Sequence, residues 1–337
     1  MKGKTIIATI TVTMALLACE QDKEPKVNAP EDVIRLTAVM APESATRSTT
    51  QSHLSNNGMQ FTSGQPIALF MTEADPTNGS LVSGANVSYD GNLHSLTTGT
   101  NGALDFDLGS DCYWPATNNV NFYAWHPYAA DGCFAGKKAG ETTVFRVNAN
   151  QSTDEAYKAS DLLWARSTNI AKPSIATTAI PLTFYHALSK VKVVLQSSSS
   201  LITASQLSTA TVLLKGTASA PIYLDATVDI DGATASCLTT GATTTEVQFG
   251  TGSTTFAVLP SGQSLSGKVI DVTFADNDGD TGGHFTYTIS TLNTIAAAKL
   301  YTITLTLKLN SVTVTETVHD WEAGSDDRDN TSNPLYI

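Results

Sequence analysis

The residues best suited to chemistry are a run of acids, a pair of strand carboxylates, two histidines set among aromatics, and four cysteines. Asp276-Asn-Asp-Gly-Asp280 has the look of a calcium loop. An EF-hand counted from Asp276 needs Gly at its sixth position and Glu at its twelfth, where this chain has Thr281 and Tyr287. A solvated hairpin turn between strands at 267–275 and 284–290 accounts for the run better. Asp225 and Asp229 fall on one strand face, a spacing open to carboxylate chemistry but more common on an exposed sheet. His126, in Phe122-Tyr-Ala-Trp-His-Pro127, and His186, in Phe184-Tyr-His-Ala187, have no Ser or Cys nucleophile motif beside them. Gly-x-Ser-x-Gly, His-Glu-x-x-His and phosphate-binding glycine loops do not occur. The expectation is no enzyme, no metal and no cofactor, with both histidines as packing residues.

Cys19 stands apart from Cys112, Cys133 and Cys237. An odd number in an exported chain leaves at least one thiol outside any disulfide. Cys112 and Cys133 bracket the strand-like Val120–Trp125 segment, so a local bridge is open to them, with buried thiols the simpler alternative. Spacings typical of a metal site are missing.

Elements must hold these groups, and the composition says which kind. Acids outnumber bases 31 to 19, a formal charge of −12, which argues against nucleic acid and against adsorption to anionic lipid. Tyr301-Thr-Ile-Thr-Leu-Thr-Leu-Lys-Leu309 alternates strictly, and β-branched residues at period two recur between Gly, Asn and Asp turns. That pattern predicts an all-β protein. A first strand candidate, 33–40, carries Ile34, Leu36, Ala38 and Met40 on one face. Strands follow near 67–71, 87–89, 104–108, 120–125 and 143–147, then a linker-like stretch at 167–178. A second series runs from 180–195 to 299–309 and 312–318. Tyr301, Ile303, Leu305, Leu307 and Leu309 lie on odd numbers, whereas Val312, Val314 and Val318 lie on even ones. The parity flip at 310–311 requires a bulge, a turn or a change of sheet.

The N-terminus bears on location. Lys2 and Lys4 precede an apolar run of about 14 residues, too short to span a bilayer and suited to a cleaved signal. Leu16-Leu17-Ala18-Cys19 resembles a bacterial lipobox, which implies a lipidated Cys19 and an anchor in a membrane. Behind it Glu20-Gln-Asp-Lys-Glu-Pro25 is an acidic leash with nothing to bury. It resembles the tag that directs lipoproteins to the outer face of the outer membrane in Bacteroidales-type bacteria. The segment 41–52 after the first strand is polar and open to proteases, with Arg47 its only basic residue.

Several segments together resemble the fimbrillin family, the subunits of the type V (Mfa-like) pili of Bacteroidales. They are Cys112-Tyr-Trp-Pro115, Val120 to Tyr128, Asp161-Leu-Leu-Trp-Ala165, Leu182 to Val193, Tyr301–Leu309 and Val318-His-Asp-Trp321. The resemblance implies two tandem transthyretin-like β-sandwich domains behind a lipoprotein signal peptide. The divisions are 1–18 signal, 19–32 leash, 33–175 and 176–321 sandwiches, and 322–337 polar tail. It further implies cleavage between Arg47 and Ser48 by an arginine-specific protease, loss of the 33–47 strand, and its replacement by a strand of a neighbouring subunit. Residues 299–337 are the donor candidates. The partners implied are other fimbrial subunits and a host or bacterial surface receptor, and the place is the cell surface, in a fimbrium. Related alternatives are a tip or anchor subunit. A different class, a surface glycan-binding lipoprotein, would use Trp114, Trp125, Trp164 and Trp321 to stack on sugars.

Overall fold

A computed structural model describes residues 33–40, 61, 66–80, 82, 89–98, 104–106, 108, 112–129, 131–175, 177–275, 283–308 and 311–321. The signal and leash, Cys19, Arg47, Ser48, the 276–280 acids, Leu309 and the 322–337 tail lie outside them.

Among the described residues the chain is all-β apart from two short helices. Its first strands are β1 (Leu36–Met40), β2 (Pro66–Ala74), β3 (Tyr89–Thr98), β4 (Leu104–Phe106) and β5 (Asn119–His126). Next come β6 (Thr142–Arg146), α1 (Asp154–Ser160), β7 (Leu163–Ile170), β8 (Ile180–His186), β9 (Ser189–Ser197) and α2 (Ala204–Ser208). The middle of the chain gives β10 (Thr211–Lys215), β11 (Ile222–Tyr223), β12 (Asp225–Asp229), β13 (Thr234–Cys237), β14 (Thr243–Thr244) and β15 (Glu246–Thr251). The last are β16 (Thr254–Leu259), β17 (Val269–Phe274), β18 (Gly283–Thr288), β19 (Lys299–Lys308) and β20 (Ser311–Asp320).

Seven strands close into a barrel in the order β1-β4-β3-β2-β5-β7-β8. Closure depends on β1, which runs antiparallel to β4 and parallel to β8. Inside the barrel, Ile67, Leu69 and Met71 of β2 meet Val120, Phe122 and Ala124 of β5. The alternate residues of the same strands, Ala68, Phe70, Tyr123 and Trp125, face outward into a second core. Both faces of β2 and β5 are therefore covered, which is why these strands read as almost unbroken apolar runs.

The second core lies between the sheet β15-β10-β17-β18 and the sheet β16-β9-β19-β20. Val212, Leu214, Val247, Ile270 and Val272 of the first meet Val191, Val193, Ile303, Leu305 and Leu307 of the second. A third sheet, β13-β12-β6, packs into the same cluster through Phe145, Ala226 and Val228.

In the N-terminal unit the parallel pairing of β1 with β8 joins the two ends of the strand order, so its seven strands close on themselves. The division at 175 does not follow the cores. Leu182 and Phe184 of β8 belong to the barrel, whereas Phe145, Val147, Tyr157 and Leu162 belong to the second core. The parity flip resolves as a turn, since Lys308 pairs with Ser311 and β19 and β20 form a hairpin.

Candidate functional site

β1 is held on both sides. Thr37 and Ala38 pair with Asp105 and Leu104, while Leu36 to Met40 pair in order with Ile180 to Phe184. Just before it, the Ile34 N–H donates to the Cys112 carbonyl at 2.9 Å, and the Arg35 carbonyl accepts from the Ile180 N–H at 2.9 Å. Ile34, Leu36 and Ala38 are 2%, 1% and 8% exposed and point into the barrel among Phe106, Trp114, Leu182 and Phe184. Phe61 packs against the same cluster, edge-on to Phe184 at 4.8 Å. Burial of Ile34 and Leu36 alone corresponds to about 3–6 kcal/mol, an upper figure because a denatured chain is already partly collapsed.

The C-terminal hairpin separates the donor candidates into two groups. Tyr301, Ile303, Leu305 and Leu307 of β19 are buried, and β19 is a central strand between β9 and β20. They cannot leave without emptying the second core, so they are not a free donor surface. Val312 and Val314 of β20 are half-buried and Val318 is exposed, on an edge strand whose side chains alternate along its first six residues. Beyond β20, Trp321 turns back into the protein and its N–H donates to the Ala298 carbonyl at 2.7 Å.

The remaining candidates have structural partners. His186 is buried, with Nδ1 2.8 Å from Asp161 Oδ1 and its ring stacked on Trp321. His126 contacts the Pro66 carbonyl through Nδ1 and Phe61 through its ring edge, and burial lowers its pKa from the usual histidine value. Asp225 accepts from Arg146 Nε at 2.6 Å and Nη2 at 3.0 Å, and from the Ala242 N–H. The Arg146 guanidinium holds that carboxyl below its ordinary range. Asp229 instead accepts from the Gly232 N–H in the following turn. Its neighbour Asp231 is pushed up by burial and by a hydrogen bond to Asp229. The two carboxylates on β12 thus have separate partners.

Cys112, Cys133 and Cys237 form no disulfide. Burial pushes the Cys133 thiol up to about 12. Trp114, Trp125 and Trp321 are buried, and Trp125 donates from Nε1 to the Ile230 carbonyl at 3.0 Å. Trp164 is half-buried and tilted against Tyr185. Three of the four tryptophans are therefore closed to a sugar ring. A cavity of about 100 Å³ between α1 and β16, lined by Ser152, Asp154, Tyr157, Thr251 and Phe256, is smaller than the usual ligand pocket.

Sequence reasoning missed the non-local pairing of β1 with β8, which has no local signature. It also missed α2, whose Thr203-x-x-Gln206 capping box was a readable signal.

A barrel closed by its first strand, fused to a sandwich that ends in an edge strand, defines an all-β protein organised around strand pairing. The fimbrillin-like family profile matches residues 46–321, and the chain belongs to that family. A solved candidate cell adhesion protein from Bacteroides uniformis shares the fold at 19% identity and a TM-score of 0.58, over 86% of this chain and 97% of its own. Another from Bacteroides ovatus does so at 14% identity and a TM-score of 0.61, over 86% and 97%. The tip fimbrial protein Mfa3 from Porphyromonas gingivalis aligns over 85% of this chain and 100% of its own, at 8% identity and a TM-score of 0.43. No curated protein matches the chain.

Proposed function

We propose that this protein is a fimbrial subunit that is exported as a lipoprotein on Cys19 and reaches the cell surface on an outer-membrane anchor. An arginine-specific protease then cuts between Arg47 and Ser48, and the subunits polymerise by exchanging strands into an adhesive fibre. Family membership supports the fimbrial role. The observation that carries the rest is the position of β1, a short strand at the start of the chain that fills the gap between β4 and β8.

The chain has five arginines, at 35, 47, 146, 166 and 328. Arg35 lies between buried Ile34 and Leu36 with its carbonyl engaged, and Arg146 and Arg166 lie within paired strands. A protease that must extend the chain across its active site is thereby kept from these three. Cutting after Arg47 detaches Ile34, Leu36, Ala38 and Met40 from the remainder of the polypeptide. Their departure leaves an apolar groove with two unpaired edges, a strong acceptor for an added strand.

The donor is β20 with the tail behind it, since an edge strand gives up only its pairing with β19 and the Trp321 contacts and leaves β16, β9 and β19 paired. A head-to-tail contact of this kind does not close and so propagates as a filament. N-terminal sequencing of the protein taken from the cell surface tests the scheme. A start at Ser48, and loss of fibres in Arg47→Ala, are expected; fibres formed normally by Arg47→Ala would sink it. Deletion of 312–337 is expected to give subunits that are cleaved but do not extend.

A further inference from the structure

The two larger sheets have four outer edges, of which those of β15 and β16 are covered, while β18 and β20 each pair with one neighbour alone among the described residues. The barrel has none. The outer edge of β15 is met by residues 149–151, with Gln248 N–H donating to the Ala149 carbonyl and Gln151 N–H to the Gln248 carbonyl. The outer edge of β16 is met by the Gln151 side chain, whose Oε1 accepts from the Val258 N–H and whose Nε2 donates to the Val258 carbonyl. β20 is different. It is ten residues long, its register with β19 is unbroken, and among the described residues it pairs with β19 alone. It contains no proline, lysine or bulge, and its one inward acid, Glu316, accepts from the Tyr287 hydroxyl at 2.8 Å.

Lys308 and Ser311 close the hairpin across a two-residue connection, and such a closing pair exchanges both of its backbone hydrogen bonds. Alternation from there turns the N–H and C=O groups of Val312, Val314, Glu316 and Val318 away from β19. Val318 is also one of the few large apolar side chains left in solvent, at 49% exposure.

We propose that a second copy of this chain docks on this edge, β20 against β20, antiparallel about a two-fold axis at Thr315. In that register Val314 faces Glu316, Thr313 faces Thr317, and Val312 of each copy covers Val318 of the other. Moving the axis to residue 316 sets two Glu316 carboxylates opposite each other, which is unfavourable. Moving it to residue 314 takes Val318 off its apolar partner. A self-complementary strand of this kind makes an isologous contact that closes at two copies. The result is one continuous eight-stranded sheet formed from two four-stranded ones. Each copy carries a formal charge of −12, so salt strengthens the association by screening. The pairing involves the uncleaved chain and goes beyond the polymerisation scheme.

The test uses the full chain carrying Arg47→Ala, in which cleavage and strand exchange play no part. Sedimentation is expected to show a concentration-dependent dimer that grows with added salt. Val318→Lys, at an exposed position, is expected to weaken it by about ten-fold or more. Thr315→Cys is expected to oxidise to a 315–315 disulfide, because the residues on the axis face each other as a close, non-hydrogen-bonded pair. Thr304→Cys, on central β19, is the control. A protein that stays monomeric at about 100 µM, where a micromolar dimer would be mostly formed, overturns the proposal. So does cross-linking of Thr315→Cys no faster than of Thr304→Cys. Neither result touches the polymerisation scheme, which is read on the cleaved protein.

Discussion

Trp321 lies flat on His186, with ring centres 3.7 Å apart and planes 11° apart. The same indole stands 5.7 Å from the Lys190 ammonium, which also faces Phe256 at 4.3 Å. Asp161 holds the edge of the imidazole through Nδ1. One side chain just past β20 thus fastens the end of the hairpin to β8 and β9. Trp321→Ala is expected to cost about 3–5 kcal/mol in denaturant unfolding, the usual range for emptying such a site. Trp321→Phe, which keeps a ring on the imidazole, should recover a large part of that. Hydrogen exchange of the β20 amides should quicken in the alanine variant more than that of β9; equal effects on both strands would contradict a local fastening.

Gln151 acts as a substitute strand residue. Its amide satisfies both backbone groups of Val258 and donates as well to the Asn148 carbonyl at 2.9 Å. Gln151→Leu keeps the bulk and removes the partners. Leaving buried backbone groups unsatisfied is expected to cost about 2–4 kcal/mol, read as a shifted denaturation midpoint. The variant should also aggregate sooner on heating, since it uncovers the β16 edge.

Asp225 gives a pH signature. Its folded pKa lies below its unfolded value of about 3.9, chiefly through the Arg146 hydrogen bonds. The stability it supplies is complete above that unfolded value and disappears as pH falls through the folded one. Asp225→Asn should therefore be less stable than the parent at pH 7, with the gap narrowing below about pH 4. A gap that stays constant down to pH 2 would show that the carboxylate charge is not involved.

Cys133 should be chemically quiet. With its thiol near 12, the thiolate is about one part in ten thousand at pH 8. Alkylation of the folded protein at pH 8 should be slower at Cys133 than at a solvent thiol by about a thousand-fold, and unfolding should remove the difference. Mass spectrometry finding a Cys112–Cys133 bridge in the native protein would contradict the observed arrangement.

Much of the strand content was legible because alternation is a local property. Tyr301 to Leu307 and Val120 to Trp125 announce their strands through side-chain period alone, and the change of parity near residue 310 required a bulge, a turn or a change of sheet, of which the hairpin into β20 is the one found. Pairing partners were not legible. Nothing between Leu36 and Met40 reveals that the strand lies beside Ile180 to Phe184, more than 140 positions away. Nor does Thr142–Arg146 disclose its attachment to β12, which is why the cores do not divide at 175. Of the site, the apolar face Ile34, Leu36, Ala38 was readable as a face. The distinction between central β19 and peripheral β20 was not, because both alternate equally well and only sheet order separates them.

The flanking of β1 by one parallel and one antiparallel neighbour has a mechanical consequence. Tension on the backbone ahead of Val33, directed along the strand, loads the bonds to β4 and β8 side by side rather than in succession. They resist together as a shear joint, whereas a pull across the strand would unzip them singly. A tether attached at that end therefore meets its stiffest resistance for as long as the polypeptide is whole, and a single scission beyond Met40 turns the joint into a removable pin.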